Sequence, residues 1–194
     1  CCIESGYASV DFETNGQPIY MDSFRPTILS VTFKAGFGCS IPLAHFSMPE
    51  DHPWREWLIK FGRRVIENPK VTKIAWNWKF DNQIFHRYHI YHEGTVIDGM
   101  LAKYILNEER PNGLKDMVRR YLPDFTDYEK SEGFDKIPWD KKELGPLCEY
   151  GCMDTDMTFR LGLFFESKLI KGKYYPLYRN LIMAASRVLQ SAEE

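Results

Sequence analysis

The sequence predicts an α/β fold, a mixed β-sheet flanked by α-helices. Two patterns point to it: short β-rich runs come first, and strand-like and helical segments then alternate to the end. The size agrees with one core. At 194 residues, 44% hydrophobic and 15% aromatic, the chain can bury about 70% of its unfolded surface in a single domain.

Residues 7–12, 27–34 and 37–43 are β-rich runs separated by Gly, Pro and Asn. They read as a strand followed by a hairpin with its turn at Gly36–Gly38. From Pro49 to Asn68, Trp54, Trp57, Leu58, Phe61, Val65 and Ile66 recur at helical spacing, and Asn68-Pro69 ends the segment. Val71–Trp76 is a further strand, and Phe80, Ile84, Phe85 and Tyr88 mark a helix over Lys79–His89. Val96-Ile97 is a brief strand, after which Asp98 can cap a helix over Gly99–Leu106. Another helix opens at Asn112 or Gly113 and stops before Pro123. The polar stretch 123–139 reads as a loop. A long helix is expected from about Asp140 to Lys171, kinked near Gly145-Pro146, and a last one over Tyr175–Ala192.

Composition excludes several classes. No apolar run approaches the roughly 20 residues needed to cross a bilayer, so no membrane partner is expected. The opening Cys-Cys-Ile-Glu-Ser-Gly lacks the basic start and apolar stretch of a signal peptide. Without an initial Met, the chain is expected to be a fragment of a longer one. Five cysteines, an odd number without paired spacing, fit reduced thiols in a cytosol-like compartment. Cys148 and Cys152 are one helical turn apart, but no second Cys or His pair joins them, so small buried side chains are expected rather than a zinc site. The net charge of −2 is uninformative about partners, because an acidic metal site would mask a basic surface.

The chemistry-bearing residues lie in three segments: Asp11 and Glu13 in Val-Asp-Phe-Glu-Thr, Asp81 in Asn-Trp-Lys-Phe-Asp, and Tyr150 with Asp154 in Tyr-Gly-Cys-Met-Asp. Asp11 and Glu13, two apart at a strand end, share a face. Asp81 falls at a helix start, and Tyr150 and Asp154, four apart on a helix, share a face. Gathered carboxylates repel one another unless cations neutralise them. Oxygen-only ligation favours magnesium, or manganese in its place, and two such ions about 3.5–4 Å apart can cleave a phosphodiester. Tyr150, one turn from a ligand, is placed to orient the attacking water.

These segments resemble the proofreading 3′–5′ exonuclease domain of family A, polymerase I-like, DNA polymerases, within the DEDD exonucleases that carry tyrosine in the third motif. Ile41-Pro-Leu, Val96-Ile-Asp98-Gly-Met-Leu-Ala and Gly113-Leu-Lys-Asp-Met-Val-Arg-Arg-Tyr-Leu are also similar to the family, so the resemblance covers nearly the whole chain. It implies a ribonuclease H-like fold over residues 1–172. Residues 173–194 would then be a C-terminal helix leading toward a polymerase domain of the same longer chain. It implies that Asp11, Glu13, Asp81 and Asp154 bind two Mg2+ ions, that Tyr150 positions the water, and that Thr14, Asn77 and Tyr128 contact the substrate. The implied partner is the 3′ end of single-stranded DNA, and the implied setting a monomer in the cytoplasm of a bacterial or phage-infected cell. A leucine often follows the family's first motif as a wedge between terminal bases. Asn15-Gly16-Gln17 stands there instead, with Ile19 as a substitute. A ribonuclease D-like RNA exonuclease and a non-catalytic scaffold remain as alternatives.

Other features read as structural. His86, His89 and His92 are expected at a solvated helix end, and Trp54 and Trp57 in packing. Arg63-Arg64, Arg119-Arg120 and Lys141-Lys142 are expected as solvated charge, with phosphate contact the alternative.

Overall fold

A computed structural model describes residues 1–109, 111–125, 137–138 and 141–193. A single turn, α1 (Cys2–Ser5), leads into β1 (Tyr7–Thr14), and β2 (Pro26–Lys34) and β3 (Phe37–Pro42) follow as the expected hairpin. Gly36, at φ 79°, supplies the left-handed residue of its turn. β4 (Thr72–Ala75) and β5 (Val96–Asp98) complete a five-stranded sheet in the order β3-β2-β1-β4-β5. The hairpin side is antiparallel, whereas β1–β4 and β4–β5 are parallel. Parallel neighbours require crossovers. These are supplied by α2 (Trp54–Phe61), which runs on into a wider turn Gly62–Ile66, and by α3 (Trp78–Arg87).

The parallel pairing of β1 with β4 extends only from Tyr7↔Thr72 to Ser9↔Ile74. β4 ends at Ala75 and the chain turns away through Asn77, a non-glycine at φ 72°. The last residues of β1, among them Asp11 and Glu13, therefore keep β2 on one side and have no strand on the other. That gap is where the candidate site forms.

Beyond β5 come α4 (Gly99–Leu106), α5 (Leu114–Tyr121), α6 (Leu144–Lys171), the short α7 (Tyr175–Leu177) and α8 (Met183–Glu193). Three boundaries differ from expectation. The helix expected from Pro49 begins at Trp54, after a run of turns. α6 begins at Leu144 and continues through Pro146; a proline in the first turn lacks only an N–H that would have no partner in the helix, so it forces no kink. The last helix is interrupted at Tyr178–Ile182 by a wider turn that sinks Tyr178 to full burial. The Tyr178 hydroxyl accepts the Asp98 N–H at 2.7 Å and lies 3.2 Å from the Asp98 carbonyl, to which it can donate. Most of the expected 123–139 loop lies outside the described residues.

α6 crosses the sheet at close range because two of its glycines face the strands. A Cβ on Gly151 would lie 2.2 Å from Ser30 Oγ, and one on Gly162 would lie 2.5 Å from Ile74 Cγ2. Between these glycines, Asp156 accepts the Gly36 N–H at 2.8 Å and the Arg160 Nε–H at 3.0 Å, tying the hairpin turn to the helix.

Asp98 fixes the helices on the other flank. It caps α4 by accepting the Leu101 N–H at 3.1 Å, as expected, and also accepts the Trp78 N–H at 2.8 Å at the start of α3. One buried carboxylate thus sets the position of two helices, and α3 carries Asp81.

Replacing Gly162 by Ala should destabilise the protein by about 1–3 kcal/mol, because the branched Ile74 cannot swing clear inside a packed sheet. Urea denaturation measures this, and an unchanged midpoint would contradict the close approach.

Candidate active site

Asp11 and Glu13 stand on one face of the end of β1 that β4 does not reach, and α6, seated by Gly151, delivers Asp154 to the same place. Carboxylate oxygens of Asp11, Glu13 and Asp154 all lie within 4.8 Å of one another. Asp81 stands outside that trio but beside it. Its Oδ1 accepts the Phe12 N–H at 3.1 Å, so a side chain satisfies a strand donor that β4 does not reach. Asp81 is 1% exposed, and its charge and that of Asp11 act on each other. The four acids read from the sequence therefore converge.

Their electrostatics follow from burial and mutual repulsion. Burial first, then the Asp154 charge, pushes Asp11 up to about 8. Burial followed by the charges of Asp11, Asp154 and Asp81 holds Glu13 well above the usual carboxylate range. Asp81 is raised by burial and by Asp11, while the Phe12 N–H opposes the shift. Such groups ionise together only when positive charge joins them. The donor set is carboxylate oxygen alone, which suits a hard divalent cation.

One cation of the chain already reaches this cluster, and the sequence did not reveal it. Lys142, expected as solvated charge, is 1% exposed, and its charge favours the ionised form of Glu13. Its carbonyl accepts from Nε2 of the buried His45 at 2.8 Å, which fixes the chain just before α6. In sequence it is half of a lysine pair whose other member, Lys141, is exposed. Only the tertiary packing separates them.

Tyr150 lies one turn before Asp154 on α6, against Ile28 and Leu147, with Lys115 Nζ 5.2 Å from its ring centre. Thr14 is half-buried where β1 shifts register, and its Oγ1 accepts the Gly16 N–H at 3.3 Å. Asn77 is half-buried at the start of α3. Tyr128 lies outside the described residues. Ile19 packs against the core, whereas its neighbour Tyr20 is 82% exposed.

The histidines also depart from expectation. His89 is exposed, but His92 packs on Trp78 and lies 3.1 Å from Asn82 Oδ1. Burial pushes His92 down to about 4. Trp54 meets Tyr88 edge to face, and Trp57 sits at the helix edge, 44% exposed. Cys148 and Cys152 are free and half-buried beside Ser40.

A family model described as 3′–5′ exonuclease matches residues 3–170. The DNA polymerase of Escherichia phage T5 is 30% identical over 166 residues, covering 72% of this chain and 19% of that protein. DNA polymerase I of Borreliella burgdorferi is 26% identical over 196 residues, covering 97% of this chain and 20% of that protein. The chain thus spans about one fifth of the length of these relatives. Among solved structures, Brucella melitensis NrnC bound to pGG superposes with a TM-score of 0.68 at 18% identity, covering 98% of this chain and 84% of that one.

Raised carboxylates make metal-free stability depend on pH. An acid near 3.9 when unfolded and about 8 when folded favours the folded state below the lower value, and that contribution is lost as pH rises to the upper one. In EDTA the melting temperature should therefore fall between about pH 5 and pH 8, and Asp11→Asn should raise it at pH 8. Thermal melts across pH check this; a flat wild-type profile would contradict the repulsion.

Proposed function

The chain belongs to the 3′–5′ exonuclease family of family A DNA polymerases, and from that premise we propose that it removes nucleotides from the 3′ end of single-stranded DNA, releasing 5′-mononucleotides. The observation that carries the proposal is the convergence of Asp11, Glu13 and Asp154, with Asp81 beside them, at the end of β1 that β4 does not reach. Proofreading for a polymerase domain of the same longer chain is part of the reading, supported by the two polymerases whose sequences it resembles.

Asp11, Glu13 and Asp154 would hold one magnesium ion, and Asp81 with Asp11 a second, with manganese able to substitute. Bound there, the ions would polarise the phosphodiester and ease deprotonation of a water. The chain's own part is positional. Asp11 lies between Asp154 and Asp81 in the electrostatic network, so it is the natural shared ligand. Tyr150 aims the attacking water through its phenol. Thr14 and Asn77, flanking the first two acid motifs, contact the terminal nucleotide. Lys142 favours the ionised form of Glu13 against the burial and the neighbouring acids that raise it.

A 5′-labelled single strand with Mg2+ should give a ladder of products shortened from the 3′ end. Asp11→Ala should slow it about a thousandfold, several kcal/mol of barrier. Tyr150→Phe should slow it about 10- to 100-fold with Mn2+ binding intact. A strand that stays whole, or a ladder indifferent to EDTA and to Asp11→Ala, would sink the proposal. An RNA strand degraded faster than DNA at matched ends would favour the ribonuclease alternative instead.

A further inference from the structure

We propose that an open pocket walled by Arg25, Arg55 and Arg87 is a second binding site, one that recognises a phosphate group. The pocket, about 430 Å³, lies between the loop after β1, the first turn of α2 and the end of α3, and Tyr88, His89 and Asp22 also line it.

Three guanidinium groups from three separate segments converge here, and all three act electrostatically on the half-buried Tyr88 hydroxyl. Among the described residues none of the three makes a salt bridge to a carboxylate. Asp22 is the one acid in the wall, and it offers Arg25 its main-chain carbonyl at 2.5 Å. Like charges gathered without counterions raise the energy of the folded protein, and a bound anion relieves it. The guanidinium fork matches phosphate oxygens in pairs. His89, a non-glycine at φ 57°, holds a sparsely populated backbone conformation in the same wall.

A purely structural role explains part of this cluster. Arg87 donates to the Ile19 and Met21 carbonyls and lies over the Phe24 ring, and Arg25 also reaches the Phe24 carbonyl at 2.7 Å. These contacts hold the loop, but each guanidinium carries five N–H donors, so both keep donors for a ligand. Arg55 lies over the face of Trp54, at 5.2 Å, and makes no hydrogen bond to the loop among the described residues. Looping needs do not account for it.

The pocket is coupled to the acids by two routes. Arg25 is paired through main-chain N–H and carbonyl with Asn15, directly after the first acid motif, at 3.0 Å each way. Tyr88 follows Asp81 by seven residues at the other end of α3, roughly 10 Å along the helix axis. A strand with its terminal phosphodiester at the acids could lay an internal phosphate in the pocket. That source rests on the nuclease reading. A free nucleotide or orthophosphate is the other source of the same chemistry, and it does not.

The test measures binding in EDTA, so that cleavage plays no part. The probes are a fluorescent 12-residue oligodeoxynucleotide, a dinucleotide, dAMP and orthophosphate, against wild type, Arg55→Ala, Arg25→Ala and Arg55→Lys. Circular dichroism and melting confirm the fold, and Arg87 is left alone because it holds the loop. If the strand supplies the phosphate, Arg55→Ala weakens 12-mer binding about tenfold. The slope of log affinity against log salt then falls by about 1, and the dinucleotide is unaffected. If a free nucleotide supplies it, dAMP and orthophosphate lose affinity while the 12-mer does not. Arg55→Lys should retain part of either effect. Unchanged affinity for all four probes in both alanine variants would overturn the inference. Failure of wild type to cleave DNA in Mg2+ would instead count against the nuclease reading, and the dAMP and orthophosphate arms would still decide the pocket.

Discussion

Asp11, Glu13 and Asp154 bring carboxylate oxygens within 4.8 Å of one another in surroundings poor in water, and each raises the energy of ionising the others. A fold that holds such a cluster has to fasten its backbone from outside. Here the fastening comes from three directions. β2 pairs with β1 from Ser9 to Thr14, so the strand cannot relax away from the acids. Gly151 lets α6 settle onto Ser30, which fixes the depth at which Asp154 stands. Asp98 caps α3 and α4 together, which fixes where Asp81 points. Removing a strand from one side of β1 makes room for the site, and the Phe12 N–H left over by that removal becomes the anchor of Asp81.

The parts of this arrangement set by local chemistry were legible in the sequence. Two acids two residues apart on a strand share a face whatever surrounds them, and the Asp98 cap follows from an acid ahead of an apolar helix. The hairpin glycine and the five-stranded mixed sheet follow from turn chemistry and alternation. What was not legible depends on contacts between distant segments. Lys141 and Lys142 are indistinguishable as a pair, yet α6 and His45 bury one of them beside Glu13. His92 looks like a helix-end residue until Trp78 and Asn82 enclose it. The kink expected at Pro146 failed for a reason of boundary, since a proline three residues into a helix breaks nothing. The second role of Asp98, as cap for α3, required knowing that β4 and β5 lie side by side.

The loop after β1 is where the expected leucine wedge does not stand. In place of a leucine wedge the chain has Asn15-Gly16-Gln17. Asn15 organises the loop: its Oδ1 accepts the Arg25 N–H at 3.0 Å, and its Nδ2 donates to the Ser23 carbonyl at 2.8 Å. Ile19, the candidate substitute, is drawn against the core, with its carbonyl held by Arg87. The loop is thus committed to its own packing, and the large apolar side chain it exposes is Tyr20. The same commitment places Arg25 and Arg87 side by side with Arg55, so this loop also helps build the basic pocket.

The acids do not meet the repulsion with the same support. Asp81 has a main-chain N–H to stabilise its charge, and Glu13 has Lys142. Asp11 has no hydrogen-bond donor among the described residues, and burial and Asp154 act on it together. A cation bound beside it would therefore favour its ionised form. It is also the acid whose charge is felt on both sides, by Glu13 and by Asp81. A cation held by Asp11, Glu13 and Asp154 would lower the repulsion that Asp11 exerts on Asp81. Positive charge beside the trio would thereby ease the ionisation of Asp81 as well.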